Sequence, residues 1–351
     1  MMVYRKILVN ALCNLGDVIL STSAVALIKK LDPSVKITML VRPFAREVVE
    51  NNPVVDDVIS FGYKAKKKSW REMWQMVQKI KRENFDLCIS LDRKLRPALL
   101  TWLARIPTRV VSERIFDDKP SRVTMFYTDV TPMNPNFENI PQADNFQSVI
   151  REFFKTDLQA KPVIGIPREE NIQKAEKLLD KLPKSKLKIA LCVKGSFPLK
   201  DWPPEYFVKL IQMLDQKYDS SFFIIGAPGD RDYAEKIVQS SAIPIQNFCG
   251  KTSIMDLVPI FEQTDLFVTV DTGALHVAAT TSVPIVAMYG CGPSTRWPPL
   301  TENSRIVCAH VDCSPCHVAA DACPTLPKPK CQWQMTPDMV FDACEQLLNP
   351  N

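Results

Sequence analysis

The segment Phe267-Val-Thr-Val-Asp-Thr-Gly-Ala-Leu-His-Val-Ala-Ala279 concentrates side chains able to do chemistry. An apolar strand ends in Asp271, a tight turn holds Thr272 and Gly273, and a helix of small residues follows at once. Free amides at a helix start, backed by the positive end of its dipole, bind anions, and a glycine lets a phosphate approach the backbone. Thr272 adds a hydroxyl donor. The competing reading is ordinary capping, with Asp271 or Thr272 closing the start of a buried helix. His276, one turn in, fits either a ligand contact or a satisfied core histidine.

Three more segments follow predicted strand ends. In Gly195-Ser196-Phe-Pro-Leu-Lys200-Asp-Trp202-Pro203, Ser196 can donate to a phosphate and Lys200 can place a point charge on a diphosphate leaving group. The glycine spacing there is not that of a P-loop. Gly226-Ala-Pro-Gly-Asp230 offers a carboxylate for ribose or sugar hydroxyls, or else is a bare turn. Asn14-Leu-Gly-Asp17 puts a carboxylate beyond the first strand, where it can take a proton from an acceptor hydroxyl or simply cap the next helix.

These segments need a scaffold of alternating strands and helices. Lys6–Asn10, Lys36–Val41, Asp57–Ser60 and Leu87–Leu91 read as strands of a first parallel sheet. Between them run helical patterns at Ile19–Leu31, Pro43–Glu50 and Ser69–Arg82, and Phe146–Phe154 closes the unit. Thr124–Asn145 breaks all periodicity and reads as a long connection. The pattern then restarts with a helix at Arg168–Leu182. Strands follow at Lys188–Val193, Ser221–Ile225, Leu266–Val270 and Pro284–Tyr289, with helices Pro204–Leu214, Tyr233–Ser240 and Ala274–Thr281 between them. Thr336 and Pro337 suit the N-cap and first position of a last helix, Asp338–Leu348. The predicted organisation is therefore α/β: residues 1–165 and 166–335 as two doubly wound Rossmann-like domains, and 336–351 as a C-terminal helix. Ligands of such sheets bind beyond the C-terminal strand ends, which here would face a central cleft.

The chain has 351 residues, 46% hydrophobic and 24% charged, as soluble globular proteins have. Its net charge of +5 does not by itself call for nucleic acid. No apolar run reaches the roughly 20 residues of a membrane-spanning helix. The apolar run behind Arg5 and Lys6 is broken by Asn14 and Asp17, so it reads as a first buried strand rather than a signal peptide. A local basic cluster, Lys64, Lys66, Lys67, Lys68 and Arg71, fits an anion site or a solvated helix entrance. Seven of the eleven cysteines lie in apolar stretches and read as core. The other four, Cys313, Cys316, Cys323 and Cys331, have spacing that suits structural zinc or an iron–sulfur cluster, and equally free thiols or a disulfide pair.

Taken together these motifs resemble glycosyltransferase family 9, the bacterial heptosyltransferases of the lipopolysaccharide inner core. The likeness covers nearly the whole chain. It rests on Lys6-Ile-Leu-Val with Leu15-Gly-Asp17-Val, on Leu40-Val-Arg-Pro43, Asn52-Pro-Val-Val-Asp-Asp-Val-Ile59, Lys200-Asp-Trp-Pro-Pro-Glu205 and Gly226-Ala-Pro-Gly-Asp230, and above all on Asp271-Thr-Gly-Ala-Leu-His276. The resemblance implies a GT-B fold, acceptor in the first domain and nucleotide sugar in the second, with inversion at the anomeric carbon and no metal or other cofactor required for catalysis. It implies Asp17 as general base and Lys200 and Ser196 on the donor phosphates. Asp271 would hold sugar hydroxyls, Thr272 and Gly273 the pyrophosphate, and His276 would belong to the same donor site. Asp230, with Asp232 close by, would hold the ribose, and Lys64, Lys67 and Lys68 would grip an anionic acceptor.

The implied partners are a nucleotide-diphosphate sugar, ADP-heptose by resemblance, and a lipopolysaccharide-core acceptor, with no nucleic acid. The implied place is the cytoplasm, with peripheral contact on the cytoplasmic face of the inner membrane. Two other readings stand beside this one: a nucleotide-sugar 2-epimerase of the same architecture, and a nucleotide-sugar-binding protein without catalysis.

Overall fold

The structure is a computed structural model that describes residues 3–62, 70–116, 121–316 and 322–349. The chain forms two compact units, Met1–Ile166 and Pro167–Asn351. The N-terminal unit runs β1 (Lys6–Ala11), α1 (Leu15–Leu31), β2 (Lys36–Val41), α2 (Arg46–Val49), β3 (Asp57–Ser60), α3 (Trp70–Arg82), β4 (Leu87–Ser90), α4 (Leu95–Leu103), β5 (Thr108–Ser112), β6 (Asp129–Thr131) and α5 (Gln142–Phe154). Its six strands are parallel, in the order β3-β2-β1-β4-β5-β6.

Burial explains the sequence pattern of these elements. β1 and β4 lie inside the sheet with helices on both faces, so they are apolar runs rather than alternating ones. α1 is buried over most of its circumference, and α5 packs along it. Ser21, Thr22 and Ser23 fit that apolar setting because each hydroxyl donates to the carbonyl three residues back, at 2.6–2.7 Å. α3 is amphipathic instead: Val77 and Ile80 join Leu8, Phe85 and Leu100 in the core, and the opposite stripe faces outward.

The C-terminal unit runs α6 (Glu169–Leu179), β7 (Leu187–Cys192), α7 (Pro204–Lys217), β8 (Ser220–Ile225), α8 (Arg231–Ser240), β9 (Ile245–Asn247), α9 (Leu257–Phe261), β10 (Leu266–Val270), α10 (Gly273–Ala278), β11 (Ile285–Tyr289), β12 (Ser304–Cys308), α11 (Lys330–Trp333) and α12 (Pro337–Leu348). Its parallel order is β12-β11-β10-β7-β8-β9. α12 packs on α7 and β12, inside this unit. Its cap is as the sequence indicates: Thr336 accepts from the Met339 amide and Pro337 takes the first helical position.

The structure departs from the sequence reading at several elements. The region read as one helix over Pro43–Glu50 is a single 3-10 turn, Pro43–Ala45, running into the four-residue α2. The segment Thr124–Asn145, read as an unstructured connection, contains β6 and the start of α5. α4, β5, β9, α9, α11 and β12 are additional. Both sheets consequently have six strands where the sequence indicated four.

Candidate functional site

In the C-terminal unit β7 is the first strand, and its neighbours β8 and β10 run on from it in opposite directions. The point where strand order reverses opens a crevice beyond the strand ends. Three predicted segments converge there: Gly195–Lys200 follows β7, Asp271–Gly273 follows β10, and Gly226–Asp230 follows β8.

The closest contact is between Lys200 and Asp271, with Nζ 2.6 Å from Oδ2 and side chains 24% and 9% exposed. Lys200 ends a 3-10 turn, Pro198–Lys200, that is held from beneath. Trp202, fully buried, packs edge-on to Phe207 and donates through Nε1 to the Met335 carbonyl at 2.8 Å. Gln332 donates through Nε2 to the Leu199 carbonyl at 2.7 Å. The aromatic residue and the C-terminal return thus fix a cation whose stem would otherwise move freely.

Glycines give this pair its room. A Cβ on Gly195 would lie 2.7 Å from the Lys200 Cβ, and one on Gly292 would lie 2.8 Å from Asp271 Oδ2. The capping alternative for the turn does not hold. Thr272 occupies the N-cap of α10 in extended conformation, yet its side chain makes no cap bond, and Asp271 turns to Lys200 instead. Thr272 and Gly273 are partly exposed, and the first amides of a helix have no acceptor within it.

His276 lies behind the pair, 4% exposed, with Nδ1 lacking a hydrogen-bond partner. Burial lowers its pKa to about 4; Asp271 opposes that shift and Lys200 adds to it. The imidazole is therefore neutral at neutral pH, with one buried nitrogen unused.

Lys194, one residue ahead of the flagged segment, is a further cation of the site. Its Nζ stands 4.0 Å from both Asp201 Oδ2 and Asp230 Oδ1. Asp201 accepts from the Gly195 amide at 2.9 Å, and burial raises its carboxyl pKa against that bond and the Lys194 charge. Asp230 closes its own turn by accepting from the Ala227 amide at 2.8 Å, whereas Asp232 is exposed in the first turn of α8. Ser196 is exposed beside this group in sequence.

The N-terminal unit has the same kind of reversal between β1 and β4. Asp17 lies in the first turn of α1, beyond β1; Asn14 is the N-cap and makes no side-chain cap bond. Asp92 and Lys94 follow β4, joined at 3.3 Å, and Arg42 follows β2. All four charges act on the Cys13 thiol, which burial pushes well above its ordinary value. Asp92, almost wholly buried, has a carboxyl raised chiefly by burial. Sequence reasoning missed Arg42, Asp92 and Lys94. Lys64, Lys67 and Lys68 lie outside the described residues.

The zinc or iron–sulfur reading of Cys313, Cys316, Cys323 and Cys331 is not supported. Among the described residues no three His, Cys, Asp or Glu side chains are grouped so as to hold a metal. The four are free thiols, and the strand-end residue Cys291 joins them: burial raises Cys331 to about 12, and the four neighbouring thiols add to the effect.

The model of glycosyltransferase family 9 (heptosyltransferase) matches residues 73–326. Lipooligosaccharide heptosyltransferase 2 of Haemophilus influenzae is 25% identical over 308 residues, 83% of this chain and 85% of that protein. Among solved structures, a family 9 glycosyl transferase of Veillonella parvula superposes with a TM-score of 0.82 at 22% identity, covering 98% of this chain and 97% of that one. The ADP-heptose lipopolysaccharide heptosyltransferase II of Escherichia coli gives 0.78 at 20% identity, covering 98% of both.

Proposed function

Since the chain belongs to glycosyltransferase family 9, we propose that it moves heptose from a nucleotide-diphosphate heptose, with ADP-heptose as the donor, onto a lipopolysaccharide-core acceptor. The 2-epimerase reading is not favoured, because the matching family is one of transferases. In this proposal residues 166–335 bind the donor, residues 1–165 bind the acceptor, and residues 336–351 close the donor unit. The enzyme works in the cytoplasm, peripherally at the inner membrane, where a lipid-linked acceptor is available.

The observation that carries the donor assignment is the Lys200–Asp271 pair at the strand-order reversal, with Gly195 and Gly292 keeping its approach open. A diphosphate draws Lys200 to its oxygens and the sugar hydroxyls take its place on Asp271. Thr272, the amides from Gly273 on and Ser196 complete the anion contacts. Asp230 reads the ribose, with Lys194 adding positive charge nearby. His276, neutral, supports Asp271 from behind without exchanging a proton. Asp17 removes the acceptor proton as the hydroxyl attacks the anomeric carbon. The bond to the diphosphate breaks as the new glycosidic bond forms, and Lys200 takes up the charge that develops. Lys64, Lys67 and Lys68 hold the anionic groups of the acceptor.

The test is release of nucleoside diphosphate from ADP-heptose with and without a lipopolysaccharide-core acceptor, alongside thermal shifts with adenine, uridine and guanine diphosphates. The expected result is acceptor-dependent release, and stabilisation by the true donor that grows as RT ln(1 + [L]/Kd). Conversion of the sugar without acceptor, or no response to any diphosphate, would overturn the reading.

A further inference from the structure

Of the six tryptophans, three are exposed among the described residues, and all three lie on one face of the N-terminal unit. Trp70 and Trp74 stand one helical turn apart on α3, 75% and 58% exposed, and Trp102, 47% exposed, lies near the end of α4. Trp74 and Trp102 line a groove of about 380 Å3 that Gln78, Lys81, Leu103 and Arg105 complete. Trp102 is braced from behind, edge-on to Phe126 at 5.6 Å between ring centroids. That contact holds the Trp102 indole in position, whereas Trp70 and Trp74 flank the stripe of α3 through which Val77 and Ile80 meet the core and stay exposed beside it.

The two charged residues that line the groove, Lys81 and Arg105, are both basic. α3 carries Arg71, Lys79, Lys81 and Arg82 against the single acid Glu72. Residues 95–105 add Arg96 and Arg105 and no acid. Indoles interleaved with lysines and arginines match the headgroup layer of a bilayer, where an indole has one apolar and one wet side and a long basic side chain reaches lipid phosphates. A protein partner fits less well. The centres of protein interfaces are depleted in lysine, and a stable one needs roughly 800 Å2 per side. Among the described residues no helix is long and apolar enough to cross a membrane, so bilayer contact through these helices is by a surface.

We propose that the α3–α4 face is a docking surface for an anionic phospholipid bilayer, with Trp74 and Trp102 entering the headgroup layer and Lys81 and Arg105 meeting lipid phosphates. Trp70 extends the aromatic row by one turn. The inference rests on the peripheral membrane placement proposed above but not on the transfer chemistry, and vesicle binding is read without any donor.

The test is co-sedimentation of the full chain with phosphatidylcholine vesicles made with and without phosphatidylglycerol, at low and high salt. Tryptophan quenching by brominated lipid is measured in parallel. The expected result is binding that needs phosphatidylglycerol and weakens with salt, together with quenching. Lys81→Glu/Arg105→Glu should lower the partition coefficient by about tenfold or more, in line with the attraction of a basic residue near an anionic surface. Trp74→Ala/Trp102→Ala should abolish most of the quenching, while a cooperative thermal unfolding transition followed by circular dichroism shows that the variant is folded. Equal vesicle binding by parent and variants would overturn the proposal. So would binding of a soluble polyanion without binding of vesicles, which would instead make the groove a site for anionic polymers.

Discussion

Replacing Lys200 with Met separates the two things this lysine does. At 2.6 Å and an effective dielectric of about 20, its attraction to Asp271 is ~6 kcal/mol before desolvation is counted. Desolvation takes back most of that. The side chains are 24% and 9% exposed, between the surface and the buried limits, so breaking the pair should cost about 2 kcal/mol, chiefly from the stranded Asp271 carboxylate. In a unit of this size that lowers Tm by ~4–8 °C. Transfer should fall by ~10²–10³ in kcat, the usual loss when one donor to developing charge is removed. Asp271→Asn makes the comparison. It also breaks the ion pair but leaves Lys200 free for phosphate, so affinity for the nucleoside diphosphate should hold or rise while transfer of the sugar drops. Calorimetric titration with ADP, beside kcat measured on ADP-heptose, distinguishes the two variants. If both change ADP affinity in the same direction and by the same factor, the pair is a structural strut and Lys200 has no separate phosphate role.

Three other outcomes follow from the same geometry. Asp17→Asn should lower kcat by ~10²–10⁴, the usual worth of a general base, with ADP affinity unchanged; turnover like that of the parent chain removes Asp17 from the reaction. Gly292→Ala puts a methyl 2.8 Å from Asp271 Oδ2, so donor affinity measured by titration should drop while Tm falls by an amount matching ~1–3 kcal/mol of overpacking; unchanged affinity would mean that Asp271 does not need its present position. His276 has its folded pKa lowered from 6.5 to about 4. Between those values the unfolded chain binds a proton that the folded chain does not, so stability falls as pH drops from 6.5 toward 4, by about 3 kcal/mol in all. Urea midpoints between pH 4 and 7 should therefore vary less with pH in His276→Gln than in the parent chain, and parallel curves would refute the assignment.

The strands that could be read from sequence are those buried on both faces, and the ones missed lie near or at the sheet edges. β1, β2, β7, β8 and β10 are apolar runs because parallel strands under two layers of helices have no polar side to display. β6 is Asp129-Val130-Thr131, three residues at a sheet edge with two of them exposed, and no periodicity can be read in three residues. β12, at the edge of the other sheet, has Arg305 and Ile306 both exposed, which breaks the alternation a half-buried strand would show. α4 was missed for a different reason. Pro97 stands at its third position, where the missing N–H costs nothing, and the same proline read from sequence looks like a breaker.

For the site, the limit was strand order rather than residue type. Asp271, Thr272 and Gly273 were legible because strand, turn and helix are contiguous in the chain, so one segment carries the whole motif. Lys200 was legible as a cation after a strand end, but its partner was not: 71 residues separate it from Asp271, and they meet because β7 pairs directly with β10. The same holds for Lys194 and Asp230, brought together by the pairing of β7 with β8. Each pair joins the loop after β7 to the loop after a neighbouring strand. The reversal of strand order therefore brings both carboxylates to one lysine-bearing loop, and any rearrangement that moved β7 from the centre of the sheet would separate both pairs while leaving every local motif intact.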